Sequence, residues 1–383
     1  MLGSGVSTQK RFLFAILIVL GVLIVVIVGR ALFITTSFYW YVKNQPRGWA
    51  GEVVFQTDAD LGFVPIPDSM GVQILGGEEV PALFDQQAFR VPADDELRHL
   101  STNQPRVLFL GGSFTYGAYV PAEGTFPYLV GQELGGSSMN AGVPSHGLSH
   151  ILLLARQLIP QHRPDYVVVQ YSDWLVDRSL DVYAPSYIGL VPSPFFYESD
   201  SEQLLIHSPV FMTKVIDLLA RDYRETQQGV GDYLSFMRYV GLPLLIHDGI
   251  NHWNYKIKNL LGLIPPATEE RQKILSQTFR ELAEISQENQ AILLILLLDN
   301  NAVPWEEELN YEDILALQRI DSAVLVDAQS VLIRPVEGDN ELYNQTYCHL
   351  QGDPPVVIDC HPNALAHEII AAEIVKNIKA LEK

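Results

Sequence analysis

Ser113 stands among glycines directly after an apolar run. Arg106-Val107-Leu108-Phe109-Leu110 leads into Gly111-Gly112-Ser113-Phe114-Thr115-Tyr116-Gly117. Glycines let a chain leave a strand sharply, so a serine hydroxyl can project from a sheet edge. The backbone N–H groups of such a turn can face a developing oxyanion. The same residues also build ordinary strand-to-loop turns. Two other motifs fail on spacing. The α/β-hydrolase elbow needs glycine two residues to either side of the serine, and Thr115 occupies the second place. A P-loop needs a lysine after its glycines, and none follows.

A base and its orienter stand near the C-terminus, in Val357-Ile358-Asp359-Cys360-His361-Pro362-Asn363, just before an apolar helical pattern. Proline suits the first helical position, which predicts His361 as the capping residue. A residue before proline is held extended, which fixes the direction of the ring. Asp359 can then reach Nδ1 and set the tautomer that leaves Nε2 free to take a proton. Alone, the segment equally suits a solvated helix start; with Ser113 it completes a nucleophile, a base and an orienter. His146, His162, His247 and His367 have no such neighbour and are expected to pack or face solvent. Cys348 and Cys360, the only cysteines, are too few for a disulfide framework or a zinc site. In an oxidising compartment they could close a short loop worth ~3 kcal/mol; the other reading is two unrelated small apolar residues.

The elements that would position these residues follow from periodicity. Residues 44 to 100 are rich in Gly, Pro and Asp and read as short strands and turns. From Arg106, strands are expected at 107–110, 138–140, 166–170, 291–298 and 323–327. Helices are expected at 126–134, 148–159, 269–288 and 311–319, with a last one from Pro362 to the C-terminus. Such alternation is the pattern of a parallel sheet covered by helices. It breaks between about 178 and 266, where Tyr183–Pro194 reads as loop and helices are expected at 209–219 and 233–240. A mostly helical insertion capping the sheet's C-terminal edge is the expectation.

The N-terminus carries a different signal. Residues 12–29 form an uncharged apolar run of roughly 27 Å as a helix, at ~1.5 Å per residue. It has no polar face, and Arg30 and Phe38-Tyr39-Trp40-Tyr41 follow it instead of a cleavage site. The sequence therefore predicts a cytoplasmic tail at 1–11, a transmembrane anchor at 12–34, a lead-in at 35–100 and a main domain at 101–383. Lys10 and Arg11 favour a cytoplasmic N-terminus, which places the bulk of the chain outside the plasma (inner) membrane. A formal net charge of −20 gives no electrostatic route to nucleic acid.

These residues resemble the SGNH/GDSL hydrolases, in particular their membrane-anchored bacterial members. Gly111-Gly112-Ser113-Phe114-Thr115-Tyr116-Gly117 is similar to the family's first block, with Gly112 where Asp is usual. Asn140-Ala141-Gly142-Val143-Pro144-Ser145 resembles the second block, Gln170-Tyr171-Ser172-Asp173 the third, and Asp359-Cys360-His361-Pro362-Asn363 the last. Leu61-Gly62-Phe63 and Ala88-Phe89-Arg90 resemble the lead-in of the anchored members. The resemblance implies a three-layer α/β/α, flavodoxin-like fold with a five-stranded parallel sheet. It also implies a serine esterase, with Ser113 as nucleophile, Asp359 and His361 completing the triad, and Ser145 and Ser172 in the oxyanion hole.

Two departures bear on rate. Ser145 aligns where glycine is usual; its backbone N–H is retained, and the change matters only if the position needs φ > 0. Ser172 aligns where asparagine supplies a side-chain donor, and loss of one such donor typically costs ~10²–10³ in rate. The expected activity is acyl transfer from an ester-bearing small molecule or an O-acetylated envelope carbohydrate, with no metal or cofactor required. With a sugar hydroxyl as acceptor, the same residues would give an O-acyltransferase. The alternative from another class is a catalytically degenerate SGNH-like subunit for envelope binding or assembly.

Overall fold

The computed structural model describes residues 13–25, 28–29, 49–52, 54–98, 104–180, 183–186, 189–198, 204–209, 267–304 and 311–382. The chain divides into two compact units, Met1–Pro46 with Glu225–Ile264, and Arg47–Arg224 with Pro265–Lys383. In the first, residues 13–25 and 28–29 are helical, with exposed apolar side chains. Among the described residues no helix is long and apolar enough to cross a membrane. The remainder of the expected anchor, at 12, 26–27 and 30–34, lies outside the described residues, as do the helices expected at 209–219 and 233–240.

The second unit begins with the lead-in. Its strands are β1 (Trp49–Gly51), β2 (Phe55–Asp58), β3 (Gly62–Pro65), β4 (Met70–Leu75), β5 (Glu78–Phe84) and β6 (Arg90–Val91). β1, β4, β5 and β6 pair antiparallel in a four-stranded sheet, and β2 and β3 form a separate hairpin. The α/β part follows with β7 (Arg106–Leu110), α1 (Ser113–Tyr116), α2 (Phe126–Leu134), β8 (Ser137–Asn140), α3 (Leu148–His162), β9 (Tyr166–Tyr171) and α4 (Asp173–Asp177). After two hairpins come α5 (Ala267–Glu288), β14 (Ile292–Leu297), α6 (Tyr311–Leu317), β15 (Ala323–Asp327), α7 (Ala328–Ile333) and α8 (Asn340–Tyr347). The chain ends with β16 (His349–Gln351), β17 (Val356–Asp359) and α9 (Ala364–Leu381).

β7, β8, β9, β14 and β15 form the expected five-stranded parallel sheet, in the order β15-β14-β9-β7-β8. Counted along the chain this is 2-1-3-4-5, the flavodoxin-like order. Alternation along the strands feeds two apolar layers. Leu108, Val167 and Ile295 face one side, with Ile151 of α3 and Phe279 of α5. Phe109, Val168 and Leu294 face the other, with Phe126 of α2 and Ile374 of α9. A fully buried side chain of this size contributes about 1.5–3 kcal/mol, so both layers are strongly specified by sequence.

Two expectations need correction. Tyr183–Pro194, read as loop, carries strand, while the helices expected at 209–219 and 233–240 lie outside the described residues. The described strands of the insertion form the antiparallel hairpins β10 (Tyr183–Ser186) with β11 (Gly189–Pro192) and β12 (Phe195–Glu198) with β13 (Leu204–His207). Pro185 and Pro192 lack the N–H that a helix interior needs and are tolerated in two-stranded ribbons, which are all edge. The last helix also starts later than predicted. Its capping residue is Asn363, whose side-chain oxygen accepts the Ala366 N–H at 3.1 Å, not His361. Asparagine is among the strongest N-caps, and the ring of His361 is thereby released from the helix.

Candidate active site

Strand order reverses between β7 and β9, and ligand sites of open α/β sheets lie outside the carboxyl ends of the strands at such a point. Ser113 follows β7 and Ser172 follows β9, so two sequence-predicted residues stand at the two lips of this crevice. Ser113 opens α1 and is 7 % exposed. The turn before it is tightly constrained. A Cβ on Gly111 would come within 2.7 Å of Gln170 Oε1 and closer still to Thr115 Oγ1, so only glycine fits there. A Cβ on Gly112 would meet Leu175 Cδ2 at 3.3 Å and the His146 carbonyl at 3.5 Å.

The lead-in braces this turn from below. Arg90 donates to the carbonyls of Tyr116, Gly117 and Val120, the last two at 2.6 Å, and its guanidinium lies 4.1 Å over the Tyr116 ring. A cation at a helix C-terminus complements the exposed carbonyls and the dipole. Phe55, Phe63 and Phe84 pack with Tyr116 and Ala118 in one small core, so the lead-in and the nucleophile turn are built together.

The second predicted block also meets the turn. The Val143 N–H donates to the Gly111 carbonyl at 3.1 Å, and a Cβ on Gly142 would come within 2.4 Å of Tyr116 N. Ser145 sits in this loop with φ 70°, in the left-handed region. The condition under which its departure from glycine matters is therefore met, while its backbone N–H persists. Ser172 is fully buried, and its Oγ accepts the Gln170 amide N–H at 2.8 Å.

At the far end of the chain, β16 and β17 pair with His349 opposite Asp359, and a Cys348–Cys360 disulfide closes the same segment. Asn363 Nδ2 ties the start of α9 to the carbonyls of Thr346 and Cys348, at 2.9 and 3.1 Å. Asp359 Oδ1 lies 2.6 Å from His361 Nδ1 and accepts the His361 backbone N–H at 2.8 Å. Burial pushes the Asp359 carboxyl up, but its hydrogen bonds to His361 and the charge of that ring outweigh burial and hold it below the usual carboxylate range. The His361 ring packs edge-on against Phe114, centroids 5.6 Å apart, and against Tyr119, at 5.8 Å. The pair is thus delivered beside the residue that follows Ser113. Among the described residues Ser113 Oγ makes no hydrogen bond to His361, whose Nδ1 is engaged by Asp359.

The other histidines mostly pack. His146, His150 and His367 are fully buried, and burial drives all three imidazoles toward the neutral form, with His146 and His367 pushed down to about 3. His162 packs edge-on against Phe89, and His247 lies outside the described residues. Among the described residues no group of three or more His, Cys, Asp or Glu is placed to hold a metal ion.

Sequence reasoning passed over Gln170. This residue is 1 % exposed, and its Oε1 receives the Gly112 N–H at 3.1 Å, the Thr115 N–H at 3.2 Å and the Thr115 hydroxyl at 2.9 Å. The available signal was an amide inside an otherwise apolar strand, since a buried amide demands partners.

Neither a family model nor a curated protein matches the sequence. Among solved structures the chain is similar to a G-D-S-L family protein from Desulfitobacterium hafniense, with 12% identity over 71% of this chain and 99% of that one, at a TM-score of 0.34. It is likewise similar to a catalytic mutant of an acetylxylan esterase from Geobacillus stearothermophilus, with 11% identity over 73% and 96% of the two chains, at a TM-score of 0.39. A psychrotrophic esterase from Pseudoalteromonas shares 12% identity over 73% and 98%, at a TM-score of 0.34.

Proposed function

We propose that the chain is an SGNH/GDSL-type serine esterase. The observation that carries this reading is the Asp359–His361 pair, bonded at 2.6 Å and packed against Phe114, beside a serine on a glycine-only turn at the sheet's switch point. With Nδ1 engaged by Asp359, Nε2 takes the proton of Ser113 Oγ as that oxygen attacks the ester carbonyl. The resulting imidazolium returns its proton to the departing alkoxide, leaving an acyl group on Ser113. Water, deprotonated by the same ring, releases the acid. The backbone N–H groups of Ser113 and Ser145, with the hydroxyl of Ser172, are the proposed donors to the oxyanion.

The substrate class is an ester-bearing small molecule or an O-acetylated envelope carbohydrate, and no metal or cofactor enters the chemistry. Residues 12–34 would anchor the protein in the plasma (inner) membrane with its bulk outside the cytoplasm, a reading supported by the uncharged apolar run. A C-terminal fusion to a reporter active only in the periplasm tests this; silence of that fusion, with activity from a cytoplasm-only reporter at the same position, excludes it.

The test of the esterase is labelling with a fluorophosphonate probe, read by intact mass. Wild-type protein gains one adduct and hydrolyses a short-chain aryl ester, and Ser113→Ala does neither while remaining folded. A folded wild type without adduct or turnover would favour the degenerate binding subunit, for which the serine at position 172 is the supporting feature.

A further inference from the structure

We infer that Gln170 is a positioning residue that makes the hydroxyl of Ser172 an oxyanion donor, replacing the asparagine expected there with a two-residue relay. The inference rests on the serine-esterase reading above.

The direction of every bond in the relay is fixed by chemistry. One end of the Gln170 amide faces the N–H groups of Gly112 and Thr115, at 3.1 and 3.2 Å. Backbone N–H groups only donate, so that end is the carbonyl oxygen. The amide nitrogen is then the atom 2.8 Å from Ser172 Oγ, and it too can only donate. Ser172 is thereby made an acceptor, and its own proton must point away from Gln170. Among the described residues nothing accepts that proton, although Ser172 is completely buried. A buried donor left unspent carries a cost that an incoming acceptor relieves.

The acceptor's place follows from the other end of the same amide. A single side chain touches both Ser172 and the two residues flanking the Ser113–Phe114 step, so the unspent proton lies beside the nucleophile turn. Ser172 lies one residue beyond β9 in extended backbone, so its two-residue spacing from Gln170 puts both side chains on one side of the chain. A carbonyl oxygen that becomes an oxyanion at Ser113 would complete an aligned chain from amide to hydroxyl to oxyanion, and aligned hydrogen bonds polarise one another. The amide that asparagine would bring in one side chain is here supplied at one remove.

The test is a double-mutant cycle on the full chain, with single-turnover and steady-state hydrolysis of a short-chain aryl ester. Gln170→Glu keeps the shape but replaces the donor with an acceptor, which draws the Ser172 proton to itself. Ser172→Ala removes the hydroxyl. Each change should lower kcat about 10²-fold with KM altered less than about threefold, and the double variant should be no slower than the slower single one. Ser172→Thr, which keeps a hydroxyl, should retain most of the rate. Losses that multiply to about 10⁴-fold, or a Gln170→Glu enzyme as fast as wild type, would overturn the relay while leaving the esterase intact. Gln170→Met is carried alongside, with the same expectation. If both Gln170 variants fail to fold, the residue is a structural brace and the relay falls. A wild type that neither turns over ester nor takes the probe removes the esterase reading and the relay together.

Discussion

One oxygen of Asp359 holds His361 twice, accepting the ring Nδ1–H at 2.6 Å and the backbone N–H at 2.8 Å. The two bonds fix both the tautomer and the path of the chain into Pro362. Asp359→Asn either keeps its oxygen on both N–H groups and loses the negative charge that stabilises the imidazolium, or turns its nitrogen to the ring and selects the wrong tautomer. We predict a fall in kcat of roughly 10³–10⁴-fold with folding retained, read by steady-state kinetics and thermal melting. Turnover within tenfold of wild type would mean that His361 is oriented by something else.

Ser145 offers a test of backbone strain. At φ 70° its side chain sits where only glycine is at ease. Ser145→Gly removes a cost of about 1–2 kcal/mol and adds back about 0.4–1 kcal/mol of unfolded-chain entropy. The expected outcome is a small gain in stability with kcat unchanged, because the N–H stays in place. A large loss of rate would show that the serine hydroxyl itself is used.

The Cys348–Cys360 disulfide joins the residues just before His349 and His361. Reduction, or the double change Cys348→Ser with Cys360→Ser, should lower stability by about 2–3 kcal/mol. Activity should fall more than that loss alone requires, since the freed segment carries both Asp359 and His361. Melting curves and ester turnover with and without reductant measure the two effects. No change in either would separate the crosslink from the site.

Acid should destabilise this fold well above the carboxylate range. His146 and His367 titrate near 3 when folded and near 6.5 when unfolded. Between those values the unfolded chain binds more protons, so their stabilisation is complete above about pH 6.5 and is lost as pH falls toward 3. By pH 5 each ring has withdrawn about 2 kcal/mol. Urea midpoints at pH 7 and pH 5 report the difference, and equal midpoints would contradict it.

The parts of this site written in local residue order were legible beforehand. Each pattern alone has ordinary uses, but an Asp two places before His-Pro can reach the ring, and that bond is present at 2.6 Å. Ser113 stands out by the glycine turn after an apolar run. The sheet was legible because each buried strand must be apolar on both faces. The contacts of Gln170 were not, since an amide two places before Ser172 shows its partners only once β7 lies beside β9. The start of the last helix was misread because Pro362 and Asn363 are both good first-turn residues, and only the Ala366 bond decides between them. The hairpins after Arg178 were hidden by runs too short to carry a period.

The parallel pairing of β9 with β14 also shapes how the protein must be made. Tyr166-Val167-Val168-Val169-Gln170-Tyr171 can take β7 as a neighbour on one edge as soon as it is synthesised. Its other edge is reserved for Ile292–Leu297. At about 5–20 residues per second, a ribosome delivers that partner on the order of ten seconds later. Throughout that interval the nascent chain carries an apolar, β-branched edge with no partner of its own, the kind of surface that recruits other chains. The longer the insertion takes to translate, the longer this edge waits for its partner.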